Sequence, residues 1–142
     1  MADFVKFRHF VLELGKGTHQ LHAAGHTLKV YLTNAAPSVE DDSVKADLAE
    51  ITDEHGYPAG GTDVQNDYTE ATGTGTLTGT DVTFTADGGA FGPFRYAVLY
   101  NDTPAVSPID PLIGYWDYGA PVTCLDGETF KVDFGTEILT IA

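Results

Sequence analysis

From Asp63 to its end the chain repeats one pattern: short runs of β-branched and aromatic residues, cut by turn signals about every ten residues. Thr69 to Leu77 is rich in Thr and Gly. Thr80 to Ala86 alternates, with Val82, Phe84 and Ala86 on one face, and Asp87-Gly88-Gly89 turns the chain. Phe94 to Tyr100 is almost wholly apolar, which predicts a central strand covered on both faces. Leu112 to Tyr118 reads as a further aromatic strand, and Glu137 to Ile141 as a short last one. Val122–Leu125 and Thr129–Phe134 flank Asp126-Gly127, predicting a hairpin with Phe130, Val132 and Phe134 facing inward. Upstream, Thr27 to Thr33 alternates in the same way, with Leu28, Val30 and Leu32 on one face. Such a series predicts an all-β chain, a single-domain antiparallel β-sandwich or barrel. One short helix is expected at Ser43–Ile51, where Ser43 can cap and Val44, Leu48 and Ile51 share a face.

A chain of 142 residues suits one domain and can bury a core without staples. Residues 27–142 form the expected β-domain, and residues 1–26 an N-terminal arm and connector. Within the arm, Phe4 to Leu14 is apolar and aromatic. Phe7, Phe10, Val11 and Leu14 fit one helical face, yet the Phe and Val content suits a strand equally, and a strand or arm is the expectation. No long apolar stretch follows Met1, so no signal peptide is expected, and no run approaches the length of a membrane-spanning helix.

The seven Lys and Arg are outweighed by 21 Asp and Glu, for a net charge of -14. Nucleic-acid binding needs a basic footprint and is not expected, and an anionic membrane would repel the chain. The charge serves solubility or a salty medium, or it faces a basic partner surface or bridging cations.

Few residues point to chemistry. His19, His22 and His26 would share one face of a helix and could then hold a metal, but Gly25 and the short segment favour a polar loop of exposed histidines. Asp41-Asp42 and Asp53-Glu54 read as solvated loops, and Asp63–Asp67 lacks the glycine and terminal glutamate of a calcium loop. Cys124, the only cysteine, reads as a small buried residue. No catalytic, cofactor-binding or metal-binding residue is assigned, and the chain is expected not to be an enzyme. Arg95 stands inside an apolar strand and needs a partner, for which Asp110 and Asp117 are candidates, either within the chain or between subunits. Tyr96, Tyr115 and Trp116 belong to a dense aromatic set of which a part is expected at an interface. With Arg95, and with Phe4, Phe7, Phe10 and Leu12 from the arm, they make up the expected contact residues.

Four blocks, Leu28–Asn34, Phe94–Asp102, Asp110–Gly119 and Leu125–Phe134, together resemble small structural proteins encoded by tailed bacteriophages. The resemblance spans residues 27 to 142. It implies a virion component present in many copies, with a head decoration (cement) protein fitting best: one that sits on the major capsid protein, as a homotrimer, and stiffens the shell. A tail- or fibre-associated β-domain that contacts other tail proteins or host glycans is the alternative. A small hydrolase would need a cleft joining His22 or His55 to carboxylates.

Overall fold

The computed structural model describes residues 2–142. In chain order it contains β1 (Phe4–Lys6), helix α1 (Arg8–Gly15), β2 (Leu28–Thr33), β3 (Thr62–Asp63), β4 (Asp67–Ala71) and β5 (Thr74–Thr78). There follow β6 (Val82–Thr85), β7 (Phe91–Asn101), β8 (Leu112–Cys124), β9 (Thr129–Val132) and β10 (Leu139–Ile141). A five-stranded antiparallel sheet, ordered β1-β8-β7-β2-β3, packs against a three-stranded sheet, β10-β5-β4, and a two-stranded one, β6-β9. The layers make a β-sandwich with one short helix.

Strand β7 is central, and its apolar sequence is explained by burial on both faces. Ala97 and Leu99 point into the main core between the sheets, with Leu28, Val30, Leu32, Leu77 and Phe84. Tyr96, Val98 and Tyr100 point the other way into a second core, with Tyr31, Leu112, Phe7 and Leu48. That second core also buries Tyr31 and Thr33, the face of β2 that alternation marks as polar. The register irregularities on either side of Phe94 reset the alternation, so Phe91 and Phe94 both reach the main core. Gly61 (φ +74°) lets the chain close onto β2, since a Cβ there would stand 1.8 Å from the carbonyl oxygen of Val30.

Three local readings need correction. The helix lies at Arg8–Gly15, within the segment expected as a strand or arm, and not at Ser43–Ile51. Its N-cap, Phe7, offers no capping side chain, so the usual sequence signal is missing. Neighbouring backbone replaces it: Phe7 N–H donates to the Ile113 carbonyl and Arg8 N–H to that of Val39, both at 3.1 Å. The helix ends in a Schellman pair, Thr18 N–H to Glu13 O and Gly17 N–H to Leu14 O, with Gly17 at φ +83°. In Ser43–Ile51, the Asp47 carboxylate does accept from the Ser43 and Val44 N–H groups, but only one 3-10 turn forms, at Lys45–Asp47. The backbone beyond it is drawn to β2 instead: Ile51 N–H bonds Leu32 O, and Thr33 Oγ1 donates to Ala49 O. Asp126-Gly127 does turn the chain, with Glu128 N–H on Leu125 O, yet β9 leaves β8 and pairs with β6. Ala86 holds the turn on that side, donating to Glu128 O and accepting from Gly127 N–H, each at 2.8 Å.

The first residues are thus built into the body of the fold. β1 forms a ladder with β8, Phe7 is fully buried in the second core and Phe10 is 1 % exposed in the main one. Phe10→Ala should therefore cost about 3–5 kcal/mol, as truncation of a core phenylalanine does. Chemical denaturation checks this: a loss below about 1 kcal/mol, as expected of a surface side chain, would mean that the segment is a detachable arm.

Candidate functional site

Helix α1 presents the surface with the most distinctive chemistry. With Phe10 pinned in the core, Val11 and Leu12 are forced onto the outer crest of the helix, each 55 % exposed. Grooves run along both flanks. One, of about 540 Å³, lies between His9, Glu13 and Lys16 of the helix and the two segments Ser43–Ala46 and Ser107–Asp110. The other, of about 430 Å³, is lined by Leu14, Leu21, His19, His22, Tyr68 and Ile141. Ile109 on the outer rim of the first groove and Ile141 at the second are themselves substantially exposed. Four of the six large hydrophobic side chains most open to solvent therefore gather on this one face, and Val106, a fifth, stands in the loop beside it. Exposed apolar side chains gathered in such number around one helix, with polar neighbours such as Arg8 among them, mark an interaction surface.

The Glu13 carboxylate beneath the crest is tied down, while His9 Nδ1 and His19 Nε2 are buried without a hydrogen-bond partner among the described residues. Glu13 is 2 % exposed; it accepts from Thr18 Oγ1 at 2.5 Å and from Lys16 Nζ at 3.1 Å, and His9 Nε2 lies 3.7 Å away. The Thr18 hydrogen bond, with Lys16 beside it, holds its carboxyl below the usual range in spite of burial.

The histidine segment is organised around a buried asparagine. Asn101 Oδ1 accepts from Thr103 N–H at 3.1 Å, which turns the amide nitrogen of Asn101 toward His19 Nδ1, 3.0 Å away, and His26 Nδ1, 2.9 Å away. An amide nitrogen only donates, so both Nδ1 atoms accept, and a neutral His19 carries its proton on Nε2. His19 is buried against Phe10, so the expectation of three exposed histidines fails at this residue. Burial, with His26 adding to it, pushes the imidazole pKa down to about 4. Asn66 staples the same segment from below, donating to Leu21 O and His26 O and accepting from Leu28 N–H. It belongs to the Asp63–Asp67 stretch read as surface; there the chain needs a buried amide, and no sequence pattern announces one. His22 stays exposed, apart from the other two.

The expected contact residues divide. Leu12 lies exposed on the crest. Phe7, Phe10, Tyr96 and Trp116 are buried within the chain and have no surface to offer. Phe4 is half-buried, its ring 5.0 Å from that of Trp116. Arg95 takes Asp117 rather than Asp110 as its partner, through a two-pronged pair at 2.8 and 3.1 Å across β7 and β8. It holds neighbouring strands at the surface, where solvent leaves such a pair little net stability. Tyr115 is half-buried beside Tyr96. Cys124 lies in the main core, where burial pushes its thiol pKa up. Sequence reasoning missed Ile109, Val106 and Ile141. The signal for the first two was an apolar residue stranded among Pro104, Pro108 and Pro111, with no strand period to absorb it.

Compared with family models, with curated proteins and with solved structures, the chain matches none.

His19 fixes one pH dependence. In the unfolded chain its imidazole takes a proton near 6.5, in the folded chain only near 4. Between those values the unfolded state holds more protons, so stability falls as pH drops, by up to about 3 kcal/mol from this residue. Urea midpoints at pH 7 and pH 5 should separate clearly for the native sequence. In His19→Leu, which is less stable at both, the gap should narrow; an unchanged gap would remove His19 as its source.

Proposed function

We propose that this chain is a non-enzymatic structural protein of a tailed-phage virion, a decoration protein that seats its α1 face on the head shell. The observation that carries the placement of the contact is the gathering of Val11, Leu12, Ile109 and Ile141 around two grooves of an otherwise acidic protein. The phage assignment itself rests on the sequence blocks within residues 27–142. In this reading the major capsid protein is the partner, copies associate as a homotrimer, and neither nucleic acid nor membrane is contacted.

Antibody-gold labelling of particles from the source phage, viewed by electron microscopy, tests the location. Label spread evenly over the head is the expected result. Label confined to the tail would overturn it in favour of a tail-associated β-domain, for which half-buried Tyr115 beside the Arg95–Asp117 pair is the supporting feature. The contact has its own test. Val11→Asp with Leu12→Asp should abolish co-sedimentation of the purified protein with undecorated heads. Because both side chains are exposed, the denaturation midpoint should move little, each change staying within about 0.5 kcal/mol.

A further inference from the structure

Resting on the reading of α1 as a contact face, we infer that the groove between α1 and the Ser107–Asp110 loop receives a basic side chain of the partner, with apolar neighbours of that side chain seated on Leu12 and Ile109. The partner surface is thereby defined chemically as Lys or Arg flanked by aliphatic residues.

The charges of the chain point this way. Among the described residues, every Lys and Arg except Lys6 lies within ion-pair distance of a carboxylate: Arg8 on Glu40, Lys16 on Glu13, Lys29 on Asp102, Lys45 on Glu50, Arg95 on Asp117 and Lys131 on Asp81. The cations are spent internally and most of the 21 acidic residues are left unopposed. In the groove itself, Glu13 and Lys16 neutralise each other. Asp110 in the opposite wall has no hydrogen-bond or ion-pair partner for its carboxylate among the described residues. It is half-buried, and burial and the nearby Asp102 disfavour its charge by more than Lys45 and Lys29 favour it. An unpaired carboxylate in a groove wall costs less when a cation sits against it. Ile109 in one wall, and exposed Leu12 on the helix whose His9, Glu13 and Lys16 line the other, supply the apolar flanks. A second copy of this chain is a poor occupant, because it brings a net charge of the same sign and all its cations but Lys6 are already paired.

Nuclear magnetic resonance titration of the isotope-labelled protein tests the inference, with a short Leu-Arg-Leu peptide as probe and Leu-Glu-Leu and Ala-Arg-Ala peptides for comparison. The Leu-Arg-Leu peptide should shift the amides of Leu12, Lys16, Ile109 and Asp110 in a saturable way, and the other two should bind more weakly or not at all. Asp110→Asn should weaken binding by about tenfold or more. Asp110 has φ +51°, a conformation that asparagine tolerates well, so this variant keeps the loop. Unchanged affinity in Asp110→Asn, shifts scattered over the acidic surface, or equal binding of Ala-Arg-Ala would each overturn the inference. The outcome is separable from that of the labelling: gold on the tail with peptide in the groove would sink the head assignment alone, and gold on the head with no peptide binding would sink this inference alone.

Discussion

From Tyr96 to Asn101 strand β7 has no face to give to water, and the remainder of the molecule is arranged around that constraint. A strand buried on both sides must satisfy all its backbone donors and acceptors within its own sheet. It therefore needs a long partner on each edge: β8 supplies one ladder and β2 the other. The even-numbered Tyr96, Val98 and Tyr100 then need a cover separate from the opposing sheets. The loop between β2 and β3 supplies part of it, with Leu48 as its anchor. Glu50 fixes that loop by accepting from Tyr57 Oη, Gly60 N–H and Lys45 Nζ. A carboxylate that reads as an ordinary loop charge is in fact the bolt of the second core's lid. At the end of the same strand, Asn101 carries the constraint outward, ordering His19 and His26 and with them the segment beneath α1.

Helix α1 follows from this arrangement and not from its own propensity. Its eight residues are too few for a stable helix in isolation, and it lacks a capping side chain. What holds it is that Phe7 belongs to the second core and Phe10 to the first, so the chain must turn sharply between them, and a helical turn is the shortest route. The same geometry leaves Val11 and Leu12 no buried position. Their exposure is a consequence of where two other residues must go, which explains why an apolar crest persists on a protein that is otherwise well covered with charge.

How far the sequence foretells all this depends on the range of the forces involved. Strands whose fate is set by their own alternation, such as Leu28–Thr33 and Val82–Thr85, are legible, as is the doubly buried strand around Val98. Where the deciding partner is distant in sequence, local pattern misleads. The Asp126-Gly127 turn is readable, but that β9 prefers β6 depends on Ala86 waiting some forty residues upstream. Ser43–Ile51 carries a good helix start, and the acceptors on β2 outbid its continuation. Of the contact face, Leu12 is legible as part of an apolar run. Ile109 and Asp110 are not, because their meaning lies in facing α1 across a groove, a relation between segments about one hundred residues apart.

The acid balance and the apolar crest make sense together. An exposed crest of this kind would ordinarily drive self-association, since burial of apolar surface is indifferent to the identity of the partner. Charge supplies the discrimination. With every cation but Lys6 in an internal pair among the described residues, two copies meeting crest to crest meet as one anion meets another, and the grooves beside the crest add the Asp110 carboxylate to that repulsion, so the copies of the proposed trimer associate through another face. The proposed basic partner encounters the opposite field: attraction would steer it in, and the groove would give its cation a place to be neutralised. The apolar term then contributes affinity only after the electrostatic term has selected the partner. Selection of this sort weakens as salt screens it, over about 8 Å at physiological ionic strength, so it acts at the scale of the groove and its rim and not across the whole molecule. In the proposed reading, the chemistry that matters for recognition is thus confined to a few side chains on either side of one short helix.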